Sequence, residues 1–210
     1  MSVAATRTTP RKPRSDGLRS RETILRAAAG LATVHGLEGI SIGNLAGHIG
    51  MSKSGLYAHF GSKEELQLAT VETALEIFEA EVVAPTAGIE DPLERLRALC
   101  DSFFSHLERR VFQGGCFFAS VEAEFSTHPG PVRDRVAAVQ RGWLMRLQKL
   151  VAEAQERGEL RADEDPSQLA FELNAYMLMG NTGFVLHDDP AFLHRAAEAV
   201  NRRLEAAARP

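Results

Sequence analysis

The segment Gly50-Met-Ser-Lys-Ser-Gly-Leu-Tyr-Ala-His-Phe-Gly-Ser-Lys-Glu-Glu-Leu66 holds a tight turn, a short helix and the start of a second helix. A helix that short is not stable alone in water, because its nucleation cost is spread over too few hydrogen bonds. Apolar partners must brace it from behind, so the chain has to fold as a multi-helix assembly around it. Leu56 and Phe60, spaced i, i+4, turn towards that support. Lys53, Ser54, Gly55, Tyr57 and His59 are then left largely outward, a donor-bearing face with little bulk in its middle.

Helix punctuation recurs along the chain, and no segment sustains strand alternation. The pattern predicts an all-α fold of about nine helices. Ile24, Ala28, Leu31 and Ala32 line a first helix that Gly36 stops. Ser41 caps a short second helix to about His48, weakened by Gly43 and Gly47. Gly50 suits a positive-φ turn, and a third helix runs from Ser52 to about Phe60. Ser62 and Glu65 form a capping box for a fourth helix running towards Val83. Asp91-Pro92, Asp165-Pro166 and Asp189-Pro190 each place a cap before a Pro at the first helical position. Cys116 to Phe125 reads as a short helix, and Pro129-Gly130-Pro131 opens a long one that Gly158 ends.

Charge divides the chain. Residues 1–63 carry nine Lys/Arg and three acids, net +6, whereas the remainder carries 15 bases and 25 acids, net −10. A basic front and an acidic rear point to a polyanion-facing N-terminus. Residues 1–17 read as a disordered basic arm, without the apolar middle of a secretory signal. No apolar run approaches the ~20 residues of a membrane helix. Two cysteines, Cys100 and Cys116, make no disulfide framework, so a reducing cytoplasm is the simplest compartment.

Residues Ser41 to Phe60 fit a helix-turn-helix. Its second helix would enter a major groove ~12 Å wide, with Lys53 in the first turn, where it can donate to guanine. Ser54 donates or accepts, and Gly55 permits close approach. Tyr57 and His59, one turn on, meet phosphates. Ser41 and Ser62 cap helix N-termini, which attract phosphate, and Lys63 adds a charge there. Each residue also has a plainer reading: serines cap helices in any protein, Tyr57 can be half-packed core, and His59 can be surface. The weight lies in the ensemble.

This stretch, from Ile40-Ser-Ile through Gly-Met-Ser-Lys-Ser-Gly-Leu-Tyr-Ala-His-Phe-Gly-Ser-Lys-Glu-Glu-Leu, resembles the DNA-binding signature of the TetR family of transcriptional regulators. The resemblance covers about residues 18–66 and implies an all-helical homodimer. Three N-terminal helices would meet DNA, and a larger domain, residues 67–210, would bind an effector. It places Ser41, Ser52, Lys53, Tyr57, His59 and Lys63 on common DNA-contact positions. Gly43 and Gly47 depart from the pattern, so the second helix is expected to be soft until docked. Ser54-Gly55 falls in its variable part and carries no operator sequence. The run Gly114-Gly115-Cys-Phe-Phe…Glu-Phe…Pro-Gly-Pro-Val-Arg is similar to one branch of the family's C-terminal domains.

Aromatic residues crowd the segment from Phe103 to Trp143. Most would be core, yet the cluster also suits an apolar pocket. Its candidate lining is Phe103, Phe104, Leu107, Cys116, Phe117, Trp143, Leu147 and Met177. Cys116 follows a Gly-Gly turn, but no His or acid is evidently paired with it, so a buried apolar role outweighs a nucleophilic one. The histidines show no metal spacing, and no cofactor is implied. The helix from Pro166 to about Leu186 is apolar on two stripes and needs cover on both sides. Gly180 and Gly183 would let a second helix approach. Phe171, Ala175, Leu178, Gly183, Ala197 and Val200 are therefore candidates for a C2 four-helix interface with a second copy.

The reading is a ligand-responsive regulator on double-stranded operator DNA, a repressor that a small apolar or amphipathic effector releases. Two alternatives remain: an architectural DNA-binding protein without an effector, and a small helical enzyme using Cys116.

Overall fold

The computed structural model describes residues 14–208, with side chains from residue 21 onward. Among these residues are nine α-helices: α1 (Arg14–His35), α2 (Ile42–Ile49), α3 (Lys53–Tyr57), α4 (Lys63–Phe78), α5 (Pro92–Glu108), α6 (Phe117–Phe125), α7 (Pro131–Glu156), α8 (Pro166–His187) and α9 (Ala191–Ala207). The β pairing among them is one isolated bridge, Leu160 with Ala208. The fold is all-α, with an N-terminal helix-turn-helix unit and a larger helical domain. Residues 1–13 of the arm lie outside the described residues, and residues 14–17, read from sequence as arm, are the first turn of α1.

Local chemistry explains most of the boundaries. The Ser41 side chain accepts the Asn44 N–H at 3.1 Å, and Asn44 Oδ1 accepts the Ser41 N–H at 2.7 Å, a reciprocal cap on α2. Gly50 closes α2 at φ 69°. The Asp91 and Asp165 carboxylates accept the N–H groups of Glu94 and Ser167 at 2.8 Å, starting α5 and α8. At α9 the helix opens two residues beyond Asp189, whose carboxylate accepts the Ala191 N–H at 2.9 Å. α3 is shorter than the sequence suggests, since its last turn is released after Tyr57 to carry Phe60 into the core. α4 does not reach Val83 as regular α-helix; a π-helical turn, Glu79–Val83, follows Phe78.

The helices share one continuous apolar core. Towards the N-terminus, Ile24, Ala28, Leu45, Leu56, Phe60 and Leu66 are buried, which is the brace α3 requires. The helix pair α8–α9 forms the far end. An added Cβ at Gly183 would overlap the Phe192 ring, and one at Gly180 would come within 2.6 Å of Ala196 Cβ. These glycines thus admit α9 of the same chain. Asp188, at φ 51°, turns the backbone so that α9 returns along α8. Gly183 and Val200 are consequently spent within one chain: Gly183 touches Phe192, and Val200 is only 2% exposed. They correct the expectation that both would face a second copy.

Candidate nucleic-acid interface and effector cavity

The outward face of the helix-turn-helix follows from the burial of Leu56. With Leu56 and Phe60 inside, Lys53, Ser54 and Tyr57 are exposed, Tyr57 at 59%. Ser52 Oγ accepts the Gly55 N–H at 3.1 Å and lies 3.3 Å from Ser54 Oγ, so the two hydroxyls are poised beside one another. Gly55 is half-buried, and its missing Cβ would stand 3.0 Å from Ser52 Oγ. It serves the cap as much as the open face. His59 is half-buried beside Phe60, with ring centroids 6.3 Å apart. Arg21, which the sequence did not single out, lies 5.0 Å over the Phe60 ring and ties α1 to the end of α3.

Two details revise the sequence reading. An added Cβ at Gly43 would come within 3.3 Å of Lys53 Cε. Glycine there gives the Lys53 stem a place against α2, which accounts for the departure from better helix formers. Lys63 is not free: its Nζ donates to Glu38 Oε1 at 2.6 Å. Glu38 also accepts Gln67 Nε2 at 2.9 Å, and these bonds, Lys63 first, hold its carboxyl below the usual carboxylate value.

In the larger domain a cavity of about 240 Å³ opens between α4, α5, α6, α7 and α8. Phe78, at the end of α4, meets Trp143 edge-to-face at 5.2 Å, Phe118 at 6.0 Å and Phe103 at 6.4 Å. Leu75, Val139 and Leu178 complete the apolar wall, and Glu79, Glu122, Arg135, Arg146 and Asn174 supply polar groups. Of the sequence-derived lining, Phe103, Cys116 and Trp143 are present. Phe104, Leu107, Phe117, Leu147 and Met177 are buried but do not line it; each lies turned into the core. Leu178, expected at a chain–chain contact, is half-buried and lines the cavity. Phe78 and Glu122 went unrecognised. Phe78 lies well before the aromatic-rich segment, and a lone Glu on a short helix looks like solvated surface.

The cavity lies against the helices that hold the helix-turn-helix. α6 presents Phe118, Ala119 and Glu122 to the cavity, while on another face Glu124 accepts the N–H groups of Leu37 at 2.7 Å and Glu38 at 2.8 Å. Just before α6, the Gly114 N–H donates to Thr33 Oγ1 at 3.1 Å, and an added Cβ at Gly114 would overlap the Thr33 carbonyl. Cys116 is buried, its N–H donates to Asn181 Oδ1 at 2.9 Å, and burial pushes its thiol up to about 11. That is the behaviour of a packed apolar group.

The family model for bacterial regulatory proteins of the tetR family matches residues 24–70, and that for the tetracyclin repressor-like C-terminal domain matches residues 92–200, just over half of the chain. The chain belongs to the TetR family. It is a family of DNA-binding transcriptional regulators. The transcriptional regulator AcuR of Cereibacter sphaeroides is 28% identical over 170 residues, 77% of each chain. Among solved structures, a TetR transcriptional regulator from Chloroflexus aurantiacus J-10-FL superposes with a TM-score of 0.86 at 29% identity, covering 93% of this chain and 98% of that one. AibR, solved in complex with isovaleryl coenzyme A and operator DNA, matches at 26% identity and a TM-score of 0.68, over 85% and 94% of the two chains. In this TetR-family chain no helix among the described residues is long and apolar enough to cross a membrane.

Proposed function

We propose that this TetR-family regulator is a ligand-responsive repressor: a small apolar or amphipathic effector enters the cavity and releases the protein from a pseudo-palindromic operator. The observation that carries the reading is the shared use of α6, whose residues line the cavity on one face and hold the α1–α2 corner through Glu124 on another. A ligand that displaces α6 therefore moves the seat of the recognition helix. A coupling of ~1–3 kcal/mol between the two sites is enough for such control. AibR, solved in complex with isovaleryl coenzyme A and operator DNA, supports the part of the reading in which one chain of this fold takes both a small molecule and DNA.

The DNA-binding unit in this reading spans residues 18–66, and α4 carries the shift into the effector-binding and dimerisation unit, residues 67–210. Lys53 and Ser54 read base edges, while Ser41, Ser52, Tyr57 and His59 meet the backbone. Gly55 keeps the helix close to the groove, and Lys63 exchanges Glu38 for phosphate on docking. Two copies join through α8 and α9, placing their recognition helices ~34–36 Å apart in successive major grooves. Phe171, Ala175, Met179, Val185 and Leu186 form an apolar exposed stripe on α8, Phe171 at 61%, and half-buried Ala197 lies on α9. Such a stripe calls for cover.

Trp143, the sole tryptophan, lines the cavity and reports on it. Compounds that change its fluorescence are then tested for release of bound duplex. Release supports effector control; cavity ligands that leave DNA affinity unchanged reject it and favour an architectural role.

A further inference from the structure

We propose that the cavity selects a small organic cation, an ammonium group on an aryl or alkyl body, and that Glu122 is the residue that holds its charge. The inference rests on the effector-cavity reading and adds the chemical class of the ligand.

Three of the four charged groups on the cavity wall are already matched. Arg146 donates to Glu79 Oε1 at 2.8 Å. Arg135 grips Glu72 through two bonds, at 2.5 and 2.7 Å. An anion entering the cavity therefore meets guanidiniums that each hold a carboxylate. Glu122 differs: it makes no side-chain hydrogen bond and no ion pair among the described residues, although burial alone pushes its carboxyl up to about 7. A half-buried carboxylate without a partner is costly, and an incoming cation removes that cost. Cys116, the other titratable group on the wall, stays neutral below about 11.

The remaining wall suits the same class of ligand. Phe78, Phe103, Phe118 and Trp143 enclose the space as aromatic surface, whose π faces attract a cation most strongly when it is shielded from water. Asn174 Oδ1 is taken by Trp143 Nε1 at 3.0 Å, which fixes the indole in place. Aromatic faces and one uncompensated carboxyl are together a cation site; neither Arg146 nor Arg135 offers an equally free charge.

The test uses three probes on the full chain, read by Trp143 fluorescence: benzyltrimethylammonium, its neutral carbon isostere neopentylbenzene, and 3-phenylpropanoate. Glu122 is ionised above about 7, so cation affinity rises as pH is raised across that value while affinity for the neutral isostere stays flat. At the alkaline end the cation binds about tenfold or more tighter than the isostere. Glu122→Gln erases both the preference and the pH dependence. Should that variant fold poorly, the pH series on the unaltered chain separates the same outcomes. Equal binding of cation and isostere, or tighter binding of 3-phenylpropanoate, overturns the charge assignment and leaves the cavity reading intact. Failure of all three probes to bind counts against the cavity reading itself, and the cation inference falls with it.

Discussion

The Glu124 carboxylate on α6 accepts the backbone N–H of Leu37, 87 positions earlier, at 2.7 Å, and the bond ties the larger helical domain to the corner from which the helix-turn-helix starts. The second oxygen takes the Glu38 N–H at 2.8 Å. A carboxylate across two consecutive amides defines an orientation rather than a mere contact. Glu124→Ala is expected to cost about 1.5–3 kcal/mol of folding stability, the range for hydrogen bonds to a charged group. It also weakens the coupling: effector should release DNA less completely from the variant than from the parent. Melting curves and anisotropy titrations with and without effector check the two parts.

The two lysines of the proposed DNA face divide by what they touch. Lys53 is exposed with its stem over Gly43, whereas Lys63 is held by Glu38. Lys53→Ala should cost about 1–3 kcal/mol on the operator and relax its preference over random duplex. Lys63→Ala should weaken operator and random DNA alike. Gel shifts on both duplexes separate the roles, and a comparable loss of preference from Lys63→Ala would overturn the division.

Glu122 and Glu38 give opposite pH signatures. The Glu122 carboxyl is raised to about 7 in the folded chain, so the neutral acid is favoured by folding and the associated stability fades as pH rises from about 4.5 through 7. Glu122→Gln should therefore raise stability by about 2 kcal/mol in mildly alkaline buffer and leave it unchanged in acid, given ~1.4 kcal/mol per pKa unit with allowance for partial solvation. Glu38 lies below its ordinary 4.5, so its contribution is present above that value and is lost as pH falls below it. Lys63→Met reduces that acid-side loss and leaves the share of the Gln67 bond. Thermal melts across pH read both.

The apolar stripe on α8 predicts a second copy. Phe171→Asp should weaken self-association by about 2 kcal/mol or more, on the order of thirtyfold, if Phe171 is a central anchor. Gly183→Ala tests the inner face: the methyl meets the Phe192 ring of the same chain, so folding stability should fall by about 1–3 kcal/mol from overpacking without a change in association. Sedimentation and chemical denaturation distinguish the outcomes.

Elements with a local cause were legible in the sequence. Ser41, Ser62, Asp91 and Asp165 cap where they were expected to, because a cap depends on residues a few positions apart. The inward turn of Leu56 and Phe60 was legible for the same reason. Gly183 was not, since an apolar helix announces that it needs a neighbour and not whether that neighbour is its own chain's α9 or a partner's helix. The cavity depended on the rotation of each helix: Phe103 lines it while adjacent Phe104, 7% exposed, turns into the core. Glu124 and Leu37 lie too far apart in sequence for any spacing rule to pair them.

Selection of genomic fragments by the purified full chain, followed by anisotropy titration of the recovered site against random duplex, tests the account most directly. The prediction is a pseudo-palindromic site bound as a dimer, roughly a thousandfold or more tighter than random DNA, with affinity falling steeply as salt rises. Equal affinity for selected and random duplexes, or binding that salt leaves unchanged, would contradict it.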